Sequence, residues 1–179
     1  MTLDESSIIG RGEIASIFAL SDRDVVKLYR ADGQNADGLR RLADEECRAY
    51  SVALADPFLR RHIPQCEAPV TVQTVVAPDG ADRSTRYLLT HGLKMERLSG
   101  TDVKLSSISP LPPHLCELRD RFTAAGLYAL DAFLFVPDSA DECRFIDFTT
   151  VAGNAVFCDM IAAGPRASQA EIAAWLFRE

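Results

Sequence analysis

Two aspartates in the last third of the chain flank a segment that the residue pattern predicts to be a hairpin. Asp131 precedes a predicted strand over 133–136, and Asp147 follows a predicted strand over 144–146. Because a hairpin would bring the two carboxylates together, they could act beside a cleft as a base and a metal ligand. A carboxylate at the end of a strand is well placed to hold Mg²⁺. Each aspartate alone could equally be a turn residue or a helix cap.

A lysine interrupts an apolar strand in the first part of the chain. Lys27 lies within the predicted strand 25–29, and the alternation of strand faces points it away from Val26 and Leu28. A lysine in this setting can simply face solvent. One hairpin after a pair of glycines, however, it could reach a phosphate that those glycines cover.

That pair of glycines, Gly10 and Gly12, lies between predicted strands over 7–10 and 13–20. Glycines in such a connection let the backbone approach a phosphate closely and donate N–H groups to it. The same two glycines can also mean only a tight turn.

A glutamate lies on the apolar stripe of the first predicted helix, over residues 36–55. Glu46 follows Leu42 by four residues, so it would face the core, where a carboxylate needs a partner. Lys27 is the natural candidate for that partner. The neighbouring Glu45 could take this place instead of Glu46. Glu46 could also face solvent.

The remaining elements follow from periodicity and turn residues. The first half reads β-β-β-α-β-β, with further strands over 68–76 and 86–93. A polar, proline-rich segment over 101–113 is predicted to be a linker or a loop-borne insertion. The second half is predicted to contain helices over 114–130 and 168–177, on either side of the hairpin.

Composition restricts the class of protein. The chain has 179 residues, a net charge of −7, 47% hydrophobic and 25% charged residues, which suits one globular domain or two small lobes. The acidic balance argues against nucleic-acid binding, and neither a membrane span nor a signal segment is expected. The five cysteines include no CxxC pair, and the three histidines stand alone, so neither a disulfide framework nor a zinc site is expected.

The order of these features resembles the protein-kinase fold. A glycine hairpin, a strand lysine, a helix glutamate, a hinge-like segment and Ile-Asp-Phe follow one another over about residues 6–150. The resemblance implies an α+β, protein-kinase-like two-lobe fold with a five-stranded antiparallel N-lobe sheet and a truncated helical C-lobe. It implies one domain over 1–179, with an N-lobe over about 1–95, a hinge over about 95–100 and a reduced C-lobe over about 101–179.

The resemblance also implies roles for residues of the N-lobe. Gly10 and Gly12 match the loop that covers the phosphates of ATP. Lys27 matches the lysine that contacts the α- and β-phosphates, and Glu46 matches its partner on the helix. These residues would bind and orient the nucleotide.

Further roles fall on the hinge and on the metal site. Glu96 and Leu98 lie in the segment that matches the adenine-binding hinge. Asp147 matches the Mg²⁺-binding aspartate of the Asp-Phe-Gly segment, with Thr149 in place of the glycine. No asparagine for a second Mg²⁺ stands at the usual position, and Asn154 is a candidate for it.

The catalytic loop departs from the usual kinase pattern. Counted back from Asp147, the usual histidine and aspartate positions fall on Gly126 and Tyr128, which cannot do that chemistry. The run 131–136 is similar instead to a loop of minimal kinases that bacterial pathogens inject through type III secretion. By that resemblance Asp131 orients or deprotonates the acceptor hydroxyl.

The resemblance therefore implies a Ser/Thr protein kinase of minimal bacterial effector type, which uses ATP and Mg²⁺ to phosphorylate a host protein. Its expected partner is a host substrate, such as a eukaryotic chaperone or signalling protein. Its expected location is the bacterial cytoplasm before secretion and then the host cytosol, which suits reduced cysteines. The alternative is a pseudokinase, an interaction module with or without ATP, which Tyr128 and Phe133 favour. A kinase-fold enzyme acting on a small molecule is a third interpretation.

Overall fold

The computed structural model describes five segments of the chain: residues 1–31, 35–104, 107–128, 133–136 and 143–163. Over these residues the fold is α+β, with a five-stranded antiparallel sheet and three α-helices. The predicted helix over 168–177 lies outside the described residues, as does Asp131.

The described strands, in chain order, are β1 (Thr2–Asp4), β2 (Ile8–Arg11), β3 (Ala15–Ala19), β4 (Asp24–Tyr29), β5 (Cys66–Val70), β6 (Thr74–Val76), β7 (Gly92–Glu96), β8 (Thr101–Lys104), β9 (Leu127–Tyr128), β10 (Phe133–Val136), β11 (Arg144–Ile146) and β12 (Thr149–Thr150). The helices are α1 (Ala36–Ala55), α2 (Pro113–Ala124) and α3 (Val151–Ala163). The main sheet has the strand order β2-β3-β4-β7-β5, and every neighbouring pair in it is antiparallel. Smaller sheets pair β1 with β6, β9 with β12, and β10 with both β8 and β11.

The central strand β4 is covered on both faces, which explains its nearly continuous apolar sequence. Val25 and Tyr29 belong to the core that contains the buried residues of α1. Val26 and Leu28 belong to a second core, formed with β1 and β6 on the opposite face. Since strand residues alternate between faces, Lys27 lies on the α1 side.

Helix α1 begins and faces the sheet as the sequence predicts. The side chain of Asn35 accepts hydrogen bonds from the N–H groups of Asp37 and Gly38 at 3.1 and 3.2 Å, which caps the first turn. The buried face of the helix follows a three- and four-residue spacing and includes Glu46. The predicted bounds, 36–55, agree with the structure.

An aromatic cluster joins the helices to the second part of the chain. The ring centroids of Tyr50 and Phe148 are 4.5 Å apart, and those of Phe122 and Phe145 are 4.9 Å apart. Phe122 also meets Phe148 edge-on at 5.2 Å. Phe148, the residue after Asp147, is therefore anchored in the core, and this fixes the backbone that carries Asp147.

Two strand predictions need correction. The segment 68–76 contains two strands, β5 and β6, which belong to different sheets. The strand predicted over 86–93 is instead β7, because Ser84–Arg86 form a 3₁₀ turn and Tyr87 makes only an isolated bridge to Arg30. Position 92 has no room for a side chain, because a Cβ there would lie 3.0 Å from Val70 and 3.1 Å from Leu28. Strand β7 therefore begins at a glycine.

The second half departs further from the sequence predictions. The helix predicted over 114–130 ends at Ala124, because Gly126 has a φ of +75° and reverses the chain into β9. The predicted linker over 101–113 contains β8, which pairs with β10. Helix α3 was not predicted at all. None of the helices that the structure describes is long and apolar enough to span a bilayer.

Candidate functional site

A buried ammonium group lies between two carboxylates from distant parts of the chain. Lys27 Nζ donates to Glu46 Oε1 at 2.7 Å and to Asp147 Oδ1 at 2.6 Å. Lys27 is 7% exposed and Glu46 is 4% exposed. The predicted pairing of Lys27 with Glu46 is therefore present. The alternative partner, Glu45, instead accepts a hydrogen bond from Thr150 Oγ1 at 2.6 Å.

The second oxygen of Glu46 is held by a tyrosine. Tyr29 donates its hydroxyl to Glu46 Oε2, and Lys27 Nζ lies 5.6 Å from the centroid of the Tyr29 ring. Both Glu46 oxygens are thus hydrogen-bonded, which a buried carboxylate requires. Sequence reasoning missed Tyr29, although its position two residues after Lys27 places it on the same strand face.

Asp147 has an unusual backbone and an accessible side chain. Its φ is +55°, in the left-handed region, which aspartate tolerates better than most residues. This conformation reverses the chain between β11 and the buried Phe148. The Asp147 side chain is 42% exposed, and its Oδ2 has no hydrogen-bond partner among the described residues. That oxygen is available to a ligand from solvent.

The charges of the cluster act on one another. Burial alone would lower the pKa of Lys27, but the charges of Asp147 and Glu46 outweigh it and raise that pKa above its ordinary value. Burial raises the pKa of Glu46, and the Lys27 ammonium opposes this shift. With all three groups ionised, the cluster carries one excess negative charge. A cation beside Asp147 would compensate for it.

A cavity of about 330 Å³ opens onto this cluster. Its volume lies at the lower end of the range for small-molecule sites. Residues from the glycine hairpin, β4, α1, β9, the segment around Asp147 and α3 line it: Gly12, Glu13, Ile14, Ala15, Ile17, Lys27, Leu42, Glu46, Tyr128, Asp147, Phe148, Thr149, Asn154 and Phe157. The cavity therefore joins residues from the first 46 residues of the chain with residues from 128–157.

The packing of the protein itself leaves room for a side chain at both glycines of the hairpin, Gly10 and Gly12. A Cβ on Gly10 would be 3.6 Å from Ile17, and one on Gly12 would be 3.8 Å from the Ala15 carbonyl oxygen, both ordinary contact distances. The Gly12 N–H bonds to that same carbonyl at 2.9 Å and closes the turn. Gly12 lines the cavity, so the space that its missing side chain leaves is open to a ligand.

The segment predicted as a hinge lies away from this cavity. Glu96 ends β7, its N–H donates to the Gln65 carbonyl at 2.9 Å, and its Oε2 accepts from the Gln65 N–H at 3.4 Å. Leu98 is half-buried. Neither residue lines the cavity around Lys27, and Glu96 lines a separate pocket. Gly12, Lys27, Glu46 and Asp147 are thus brought together, whereas Glu96 and Leu98 are not.

Helix α3 adds one residue that sequence reasoning had considered, Asn154, and one that it missed, Phe157. Thr150 precedes the helix, and its hydroxyl accepts the Gly153 N–H at 3.0 Å, which caps the first turn. The helix then brings Asn154 and Phe157 to the wall of the cavity. Thr150 three residues ahead of Gly153 was the available sequence signal, but the segment lacks an amphipathic period.

Comparisons with known proteins leave the chain without an assigned family. No protein-family model matches the sequence, and no curated protein matches it significantly. Within the described residues, no group of three or more His, Cys, Asp or Glu side chains forms a metal cluster.

Proposed function

We propose that this chain is a minimal, kinase-like phosphotransferase that binds Mg²⁺-ATP in the cavity around Lys27 and phosphorylates a protein hydroxyl. The observation that carries the proposal is the double contact of Lys27 Nζ with Glu46 and Asp147. It joins a strand lysine, a helix carboxylate and a partly exposed aspartate. These are the parts with which protein kinases hold and neutralise phosphates.

The residues have separate tasks in this proposal. Lys27 binds phosphate oxygens, while Glu46 and Tyr29 hold its ammonium in place. The exposed carboxylate of Asp147 would hold Mg²⁺, which supplies charge neutralisation when bound. Gly12 gives the backbone close access to the nucleotide. Positioning and electrostatic stabilisation therefore supply most of the catalysis.

The two-lobe arrangement and the acceptor site are part of the same proposal. Asp131 would orient the acceptor hydroxyl, as the kinase resemblance implies. Glu96 and Leu98 lie outside the cavity around Lys27, so the proposal gives them no contact with the nucleotide. A host protein substrate and delivery as a bacterial effector also belong to the proposal. The main sheet with α1 supports it, since its strand order and helix position bring Lys27 and Glu46 together.

A pseudokinase is the second candidate, and α3 favours it. Asn154 and Phe157 of α3 share the wall of the cavity with Gly12 and Glu13. A helix at this position narrows the approach of a protein substrate to a bound nucleotide. An interaction module that binds nucleotide without transferring phosphate would fit such a narrowed cavity.

Nucleotide binding and phosphate transfer should be measured separately. Calorimetric titration with Mg²⁺-ATP should show binding by the native protein and at least tenfold weaker binding by Lys27→Met. Lys94→Met is the matched control, because Lys94 lies on the neighbouring strand β7, outside the cavity, and pairs with Glu67 at 3.7 Å. Equal binding by Lys27→Met and the native protein would overturn the assignment of the cavity.

Transfer is then assayed with γ-labelled ATP, with the protein alone and in a eukaryotic lysate. Asp147→Asn should abolish a labelled band that the native protein produces, while the exposed-site control Asp44→Asn should retain it. ATP binding without any labelled band would reject the kinase and support the pseudokinase.

A further inference from the structure

A second pocket, of about 670 Å³, shares no lining residue with the cavity around Lys27. It lies between the connection that follows α1 and strand β11. Its wall carries three arginines, Arg60, Arg61 and Arg144, and one acidic side chain, that of Glu96. The wall of this pocket is therefore positively charged, although the net charge of the protein is −7.

The basic residues of this pocket stand on a rigid frame. Asp56 Oδ1 accepts the N–H groups of Phe58 and Leu59 at 2.7 and 3.0 Å, which fixes the turn that leads into Leu59–Arg61. The Phe145 N–H donates to the His62 carbonyl at 2.7 Å and ties that turn to β11. The backbone that carries Arg61 is therefore held beside the backbone that carries Arg144 before any ligand arrives.

Arg60 and Arg61 can bind an anionic ligand. Neither Arg60 nor Arg61 has a carboxylate within 4.0 Å among the described residues, in contrast to Lys27 and Lys94. The Arg61 guanidinium lies 5.8 Å from the centroid of the Phe58 ring. A guanidinium on an aromatic face keeps its N–H donors free for a ligand. The one carboxylate of the pocket, Glu96, already accepts a hydrogen bond from Gln65.

We propose that this pocket binds a phosphorylated segment of a partner protein, with Arg60 and Arg61 on the phosphate. Guanidinium groups match the oxygens of a phosphate monoester, and a dianion suits several arginines better than a single carboxylate does. The pocket is much larger than a phosphate group. Phe58, which is half-buried on the same wall, offers apolar contact to the residues that flank it. Arginine clusters are a common means of recognising phosphopeptides.

The test is fluorescence polarisation with a pooled library of seven-residue peptides that carry a central phosphoserine. The native protein should bind it at least tenfold more tightly than the same library without phosphate. The Arg60→Gln, Arg61→Gln double variant should lose at least tenfold in affinity. Arg40→Gln, Arg41→Gln, an exposed adjacent pair on α1, is the matched control and should bind like the native protein.

Equal binding of both libraries, or undiminished binding by the Arg60/Arg61 variant, would overturn the proposal. Inorganic phosphate is titrated as a competitor, and a free anion that binds as tightly as the peptide would also overturn it. Mg²⁺-ATP binding by the Arg60/Arg61 variant should be unchanged. A failure of this pocket and a failure of the proposed phosphotransferase are thus distinguishable.

Discussion

A lysine that is 7% exposed can stay charged only because its surroundings supply compensating charge. Lys27 Nζ has carboxylate oxygens at 2.7 and 2.6 Å, and one of those carboxylates, Glu46, is buried itself. The desolvation of such a pair is costly, so it persists where its hydrogen bonds are complete. Tyr29 completes them at Glu46, and this makes its hydroxyl the most informative single group to remove.

Tyr29→Phe should lower the free energy of unfolding by about 1–3 kcal/mol, because Glu46 Oε2 would be left buried and unpaired. Urea unfolding at pH 7 measures the change. Tyr87→Phe is the matched control, since Tyr87 donates to Glu5 at 2.8 Å and Glu5 also has Arg86 at 3.8 Å. A loss for Tyr29→Phe no larger than the loss for the control would show that Glu46 does not depend on Tyr29.

At the scale of elements, the position of α3 against α1 decides the shape of the cavity. Thr150, just before α3, donates to Glu45 of α1, and Gly38 of α1 lies against Met160 of α3. The helices approach closely where a residue without a side chain faces the neighbour. Gly153 is such a residue, because a Cβ there would collide with Thr149 Oγ1 and lie 2.7 Å from Glu45 Cβ.

Gly153→Ala should destabilise the protein by about 1–3 kcal/mol through overpacking, although alanine favours a helix over glycine by about 1 kcal/mol. Thermal and urea unfolding measure the effect. Gly10→Ala is the control, because its Cβ would meet Ile17 at 3.6 Å and no element would have to move. A stabilised Gly153→Ala variant would mean that α3 does not pack on α1 at this point.

Across the molecule, burial shifts the pKa of several thiols and tyrosines in one direction. Burial raises the pKa of Cys47 to about 11 and that of Cys66 to about 12, from an ordinary value of 9.0. Burial likewise raises the pKa of Tyr29 and Tyr50 well above 10.0. Unfolded thiols therefore ionise above pH 9, while the folded ones stay neutral. The unfolded state thus gains stability from thiol ionisation as the pH rises.

The free energy of unfolding should accordingly fall between pH 9 and about pH 11, with the thiol contribution fully present below pH 9. Urea unfolding at pH 8, 9, 10 and 11 under reducing conditions measures the slope. The Cys47→Ala, Cys66→Ala double variant should show a shallower slope over the same range. An unchanged slope in the double variant would contradict the assignment of the effect to these thiols.

The local sequence pattern was sufficient to predict part of the fold and part of the candidate site. Alternation along 25–29 placed Lys27 on one face of a strand, and a helical period over 36–55 placed Glu46 on a buried face. A buried carboxylate needs a partner, so their pairing followed from residue types. The bounds of β7 and of α2 could not be predicted in the same way, because the packing around Gly92 and the reversal at Gly126 depend on tertiary contacts and backbone conformation.

The lysine strand and the glutamate helix were predictable from short segments, since strands and helices follow periods of two and 3.6 residues, and the two glycines marked the hairpin. The contact of Asp147 with Lys27 joins residues 120 positions apart, and it emerges only when the chain is packed. The packed structure also places residues of α3 in the wall of the cavity, and Arg60, Arg61 and Arg144 in the wall of a second pocket. Such contacts depend on how separate hydrophobic faces pack together, and no local period encodes that packing.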